Sequence, residues 1–264
     1  MQNRGPVPML ALAAVVVLVA LAVGTAAGVG PLAATMPPEK VTEPKEMVAR
    51  SLQATLDANA VHLDGTLTGT IPGPLVEHPE AAVSLDGSTI SIDIRPKDAR
   101  TKAHVESPGL ALSLDTVTVW NDAWYRFASA TAWTKTTAGD ASAKAGLDIN
   151  PLTFVDRLRS FLSAPDIIAS ESEVACGSAS GRCHEIRLDA GTDPARILTT
   201  VLPDGRGAGL PSIPVTVTLD TDALTLRPAH LVIEGRSADG AVVLKLVLDA
   251  SRWDGDVVID QPAG

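Results

Sequence analysis

Between Val61 and Ile71, apolar and polar residues alternate strictly. Val61, Leu63, Gly65, Leu67, Gly69 and Ile71 fall on one side, and His62, Asp64, Thr66, Thr68 and Thr70 on the other. A period of two puts successive side chains on opposite faces of a pleated strand, so the segment predicts a half-buried β-strand. The pattern recurs along the chain. Ala81, Val83 and Leu85 alternate up to an Asp86-Gly87 turn, and Ile90, Ile92 and Ile94 oppose Ser91, Asp93 and Arg95. Ala103 and Val105 oppose Arg100, Lys102 and His104, and Leu110, Leu112 and Leu114 alternate with Ala111, Ser113 and Asp115. Val117 and Val119 lead to a turn at Asn121-Asp122 and a return strand through Tyr125 and Phe127. Later runs are Ile186/Leu188, Val215/Val217/Leu219, Leu231/Ile233, Leu244/Leu246/Leu248 and Val257/Ile259. Together they predict roughly ten to twelve strands with short connections, and hence an antiparallel meander.

Three segments follow a helical period instead. The first, Pro44 to Ala58, carries Met47, Val48, Leu52 and Leu56 on one side. The second follows Asn150-Pro151, with proline at the first helical position, and presents Leu152, Phe154, Val155, Leu158, Phe161 and Leu162 before Pro165. The third follows Asp193-Pro194 and shows Ile197, Leu198, Val201 and Leu202 before Pro203. The expected class is α+β: a large antiparallel sheet with about three helices. Three short helices cover only part of the apolar face of so wide a sheet. The uncovered part is either a filled core or, if the sheet curves, an aliphatic hollow. Periodicity does not separate the two.

Residues 1–38 carry a single charge, Arg4, and Met9 to Val23 is continuously apolar. A short positive end, an apolar stretch and the small residues Gly24 to Gly28 read as an export signal, with Ala22/Gly24 or Thr25/Ala27 as cleavage pairs. The run from Met9 to Gly30 is also long enough to span a bilayer, with Arg4 on the cytoplasmic side. Both readings place residues 39–264 outside the cytoplasm, either secreted or anchored to the membrane. Pro37, Pro38 and Pro44 mark a stiff linker between the two parts.

The composition narrows the function. The 264 residues have a net charge of −10 and no basic run, which argues against nucleic acid as a partner. Aromatic residues are 3% of the chain against 45% apolar residues, so the interior is built from Val, Leu, Ile and Ala. The two cysteines, Cys176 and Cys183, flank a turn-rich loop in an exported domain and predict a disulfide that closes a hairpin. A redox pair would favour Cys-x-x-Cys beside a helix, and zinc would need a fourth ligand beyond His184. No catalytic motif emerges. Gly177 to Gly181 has Ala179 where a nucleophile elbow needs serine, and there is no phosphate-binding glycine loop or His-Glu-x-x-His. Asp220/Asp222 and Asp254/Asp256 lack an EF-hand loop and read as solvated turn carboxylates. His62 and His104 fall on wet strand faces, and His184 and His230 have no carboxylate partner evident in sequence. Trp120, Trp124 and Trp133 gather near one hairpin, either as a satellite core cluster or as a rim where lipid passes. The expectation is a protein without enzymatic activity, cofactor or metal.

The order of elements resembles the LppX/LprAFG lipoproteins, within the wider group of LolA/LolB-like carriers. The points of resemblance are Met47 to Leu52 leading into Val61 to Gly65, the hairpin Val119-Trp120-Asn121-Asp122-Ala123-Trp124-Tyr125, and Trp133 in the loop after it. They continue with the Asn150-Pro151 helix, the strand with Ile186, Pro214-Val215-Thr216-Val217, and Ser251-Arg252-Trp253-Asp254-Gly255. The resemblance implies a half-barrel with helices on its concave side and an apolar cavity that carries the acyl chains of lipids or glycolipids across the cell envelope. Those lipoproteins carry an acylated cysteine at the mature N-terminus, and this chain has none there. On this reading Leu67, Val83, Leu85, Ile92, Leu112, Leu114, Val217 and Leu246 line the cavity, and Phe154, Leu158 and Phe161 lie on a covering helix. The implied partners are a lipid or glycolipid, the membrane through the N-terminal segment, and an envelope transport protein. The alternative is an extracytoplasmic sensor that uses the same fold to bind a protein.

Overall fold

The computed structural model describes residues 42–71, 82–137, 168–189, 215–236 and 242–262. Helix α1 (Pro44–Asp57) comes first. Proline in its first turn has no N–H to leave unsatisfied, and Glu46 there favours the positive end of the helix. Its buried residues are Met47, Val48 and Ser51, and it ends where Ala58 turns extended.

Twelve strands follow. They are β1 (Val61–Ile71), β2 (Val83–Ser84), β3 (Ser88–Arg95), β4 (Arg100–Ser107), β5 (Leu112–Val119) and β6 (Asp122–Phe127). Then come β7 (Thr134–Thr137), β8 (Ile168–Ala175), β9 (Arg182–Asp189), β10 (Val215–Asp222), β11 (Pro228–Arg236) and β12 (Val242–Ser251). They form one antiparallel sheet in the order β7-β6-β5-β4-β3-β1-β12-β11-β10-β9-β8, with β2 paired to the far end of β1. Two meanders, one on each side, therefore meet at a single seam, β1 against β12. That pairing runs from His62↔Ser251 to Gly69↔Leu244 and joins segments far apart in sequence.

The expected α+β class with about three helices does not hold. The described residues form twelve strands and one α-helix, so the domain is mainly β. The physical reason is that neighbouring strands satisfy one another's backbone groups across the whole sheet, and period-two segments supply nearly every described element. The helices expected at 150–165 and 194–203 lie outside the described residues. A second correction concerns the C-terminus. Val257 and Ile259, expected as a strand, belong to no strand. The segment instead lies over the sheet, with Arg95 donating to the Val257 carbonyl (3.3 Å) and Arg100 to the Ile259 carbonyl (2.9 Å). Both side chains are buried in a cluster with Ala60, Val117 and Trp124.

Candidate functional site: the aliphatic face of the sheet

The strand register assigns every alternating residue to a face. One row crosses the sheet through Leu188, Val217, Ile233, Leu246 and Leu67, and continues through Ser88 and Ser107 to Leu112. The next row runs Ile186, Leu219, Leu231, Leu248, Gly65, Ile90, Val105 and Leu114. Leu63, Ile92 and Ala103 begin a third. One face is therefore aliphatic across most of its width. The two serines in the first row satisfy each other through a 2.7 Å hydrogen bond between their buried hydroxyls.

The candidate lining residues divide by burial. Leu67, Ile92, Leu112, Leu114 and Leu246 are buried on this face. Leu85 is buried in the same cluster, although it sits in the loop after β2 rather than on a strand. Val83 on β2 and Val217 on β10 are half-buried, as are Leu231, Ile233 and Leu244. Phe154, Leu158 and Phe161 lie outside the described residues. Helix α1 packs on the β8–β11 side, where Met47 and Val48 meet Ile186, Leu188 and Leu219.

The opposite face is largely polar, apart from Val232 and Val247 and the Val117–Trp124 cluster under the C-terminal segment, and here the structure corrects the reading of the histidines. His62 is only 6% exposed. Its Nδ1 lies 2.6 Å from Asp93 and its Nε2 2.9 Å from Asp64. His104 faces Asp115 at 2.8 Å, and His230 faces Asp249 at 2.6 Å. His184, on the aliphatic face, lies 2.6 Å from Glu171. Each of the four has a carboxylate partner on a neighbouring strand or its own, and the cross-strand pairings are visible only once the register is known.

The turn carboxylates are structural too. Asp222 is buried rather than solvated, and it accepts from the backbone N–H groups of Ser180, Leu224 and Thr225 and from the Thr225 hydroxyl. Burial alone would raise its pKa, but hydrogen bonds from Ser180, Thr225 and Ser178 hold its carboxyl far below the usual carboxylate range. Asp254 accepts from the Asn59 backbone at 2.7 Å and pairs with Arg227, and both contacts hold its carboxyl low. Among the described residues no group of three or more His, Cys, Asp or Glu could hold a metal ion.

Cys176 and Cys183 form a disulfide with Cα atoms 5.8 Å apart, closing the β8–β9 hairpin. Its loop also supplies the Ser180 N–H that Asp222 accepts. Replacing both cysteines with serine should cost roughly 2–3 kcal/mol from the entropy of so short a loop. Denaturant titration of the oxidised wild type against the double variant measures it, and equal midpoints would refute it.

The tryptophans divide. Trp124 is buried with Val117, Val257 and Ile259, Trp133 packs against this cluster, and Arg126 stacks over Trp133 at 4.8 Å. Trp120, at the hairpin tip, is 68% exposed and has a positive φ of 55°. No helix among the described residues is long and apolar enough to cross a membrane, and residues 1–41 are not among them.

No family model matches this chain, and no curated protein does. Among solved structures it is similar to the lipoprotein LppX of Mycobacterium tuberculosis, at 13% identity and a TM-score of 0.47 over 82% of this chain and 98% of that one. It is also similar to a LolA superfamily protein of Nitrosomonas europaea, at 10% identity and a TM-score of 0.28 over 83% of this chain and 96% of that one. A third is MucB, solved in complex with MucA(peri), at 13% identity and a TM-score of 0.32 over 79% of this chain and 56% of that one. The structural neighbours thus include LppX and a LolA superfamily protein, names that the order of elements also brought up.

Proposed function

We propose that this chain is an extracytoplasmic lipid-binding and transfer protein, holding the acyl chains of a lipid or glycolipid against the aliphatic face without making or breaking bonds. One observation carries the reading. Two rows are aliphatic without a break from β9 to β12, and within them Val217, Leu231 and Ile233 on β10 and β11 are only half-buried. A contiguous apolar surface left partly open is the feature that marks a binding site on a protein of this kind. Each methylene moved onto it from water contributes about 0.8 kcal/mol, so a few suffice for useful affinity without any polar contact. The export-type N-terminal segment and the disulfide support a place outside the cytoplasm, secreted or membrane-anchored.

The test uses the full-length protein purified from the cell that makes it, followed by native mass spectrometry and lipid extraction. Val217→Trp fills the half-open part of the face on β10 and β11, and because Val217 is half-buried its melting temperature should stay within about 3 °C of wild type. A stoichiometric lipid mass that disappears in the variant is the expected result. A bare polypeptide that never gains added phospholipid or glycolipid would overturn it. The second reading, a module that binds a protein partner, would then take precedence. The β8 edge of the sheet favours it, since β8 pairs only with β9 among the described strands and exposes Ile168, Ser170 and Ser172.

A further inference from the structure

Among the described residues the exposed large apolar side chains are Trp120, Ile168, Leu224 and Val258. Two of them meet at one corner of the sheet. Trp120 follows Val119, which pairs with Arg100, and its N–H donates to the Ala99 carbonyl at 2.9 Å. Arg100 donates to the Ile259 carbonyl and Arg95 to the Val257 carbonyl, so the C-terminal segment crosses beside the same turn. Val257 and Ile259 turn inward, into the cluster with Val117 and Trp124. Val258 between them turns outward and is 69% exposed.

Trp120 stands there against its backbone preference. A φ of 55° lies in the left-handed region, which suits glycine or asparagine and disfavours a bulky side chain. The ring gains little from the fold in return, since most of it meets water. The hydrogen bond to Ala99 ties the hairpin tip to the β3–β4 turn, so the ring projects from a fixed base. A strained backbone at an exposed site points to function rather than to packing.

Charge sets this corner apart from the rest of the chain. Residues 95–102 carry Arg95, Lys97, Arg100 and Lys102 against Asp98, within a chain of net charge −10. Arg95 and Arg100 hold the C-terminal segment, while Lys97 and Lys102 are exposed. The exposed Asp256 and Asp260 of that segment bring the corner close to neutral, and the remainder of the chain stays strongly acidic. A phosphate-bearing surface is therefore repelled by most of the domain and accepted here. The N-terminal segment puts such a surface within reach. The 13 residues between Gly30 and Pro44 span up to about 45 Å when extended. Helix α1 is about 21 Å long and ends beside Asn59, which accepts from Lys97 at 2.8 Å.

We propose that this corner docks on a phospholipid bilayer, with Trp120 and Val258 seated at the head-group level and Lys97 and Lys102 against lipid phosphates. Tryptophan favours that depth because its ring is apolar and its N–H is polar. The surface lies on the rim and the polar face, away from the aliphatic rows. It needs the placement outside the cytoplasm but no lipid on the aliphatic face, so the two readings fail separately.

The four tryptophans are Trp120, Trp124, Trp133 and Trp253, so the N-terminal segment contributes no indole emission. The full-length protein is reconstituted into vesicles of phosphatidylcholine and phosphatidylglycerol with brominated acyl chains, and tryptophan quenching is read. Wild type should show a lipid-quenched component that acrylamide in the water does not reach. Trp120→Asn should lose that component and melt at or above the wild-type temperature, because asparagine tolerates this φ. The double variant Lys97→Gln/Lys102→Gln should reduce the component about threefold, and Val258→Ser about twofold. Leu224→Ser, on the β10–β11 turn of the other meander, should leave it unchanged. Emission that brominated lipid does not quench, a quenched component that survives Trp120→Asn, or an equal loss in Leu224→Ser overturns the proposal.

Discussion

Replacing Gly65 with valine is expected to destabilise the domain by about 3 kcal/mol and to lower its melting temperature by roughly 10 °C. Gly65 sits on the aliphatic face of β1, opposite Leu248 of β12 and Ile90 of β3. A Cβ at this position would lie 2.4 Å from Leu248 Cδ2 and 2.7 Å from the Val247 carbonyl oxygen. The leucine methyl can swing aside, but the carbonyl belongs to the β1–β12 ladder and moves only if the strands part. Valine is a good strand former, so local propensity favours the substitution and the loss is purely one of packing. The effect is large because β1–β12 is the one pairing that joins the two meanders. Gly177→Ala is the control, since a Cβ there meets nothing within 4 Å. Thermal unfolding followed by circular dichroism would measure both, and equal melting temperatures for the two variants would sink the account of the seam.

Asp222→Ala is expected to cost about 3–4 kcal/mol at neutral pH, more than the disulfide beside it. The carboxylate accepts four hydrogen bonds, from Ser180, Leu224 and Thr225, and so ties the β8–β9 loop to the β10–β11 turn. Removing it strands several donors at a buried site. Its folded-state pKa lies far below that of the unfolded chain. The unfolded state therefore binds its proton first on acidification. The contribution of Asp222 is fully present above the ordinary aspartate value near 4 and is lost as the pH falls through the folded-state value. The stability difference between wild type and Asp222→Ala should be constant from pH 7 to about 5 and shrink steadily below about 4. Urea titrations at pH 6 and pH 3 decide it, and a difference of the same size at both would refute the linkage.

Much of the architecture was legible from the alternation of residues. Val61 to Ile71 and Ile90 to Ile94 each encode a strand and its buried side locally, because side-chain direction in a strand depends only on residue parity. The turn expected at Asn121-Asp122, found one residue earlier at Trp120-Asn121, and the cysteine hairpin were equally local. The seven-residue separation of the only two cysteines left one intramolecular pairing to consider. The residues expected to line the site fell largely on one face for the same reason, with Leu67, Ile92, Leu112, Leu114, Val217 and Leu246 all in register. Val257 and Ile259 misled because an extended segment that packs against a sheet shows the same alternation as one that joins it. His62 misled because a polar residue on the outward side of a strand can still be covered, here within reach of Asp64 and Asp93.

By itself, the sequence determined that the domain is built from antiparallel strands, which residues face the apolar side, where the hairpins turn and which cysteines join. Each of these depends on interactions between near neighbours in the chain, and so each leaves a local pattern. Only the tertiary structure decided that β12 returns to pair with β1, setting Leu248 against Gly65. It alone brought Ser180 to Asp222, and set Thr221 opposite His184, one residue pair beyond Leu219 and Ile186. Those choices join residues tens to nearly two hundred positions apart. They are settled by which long-range packing buries the most apolar surface with the fewest unpaired polar groups, a sum over the whole fold that no short segment records.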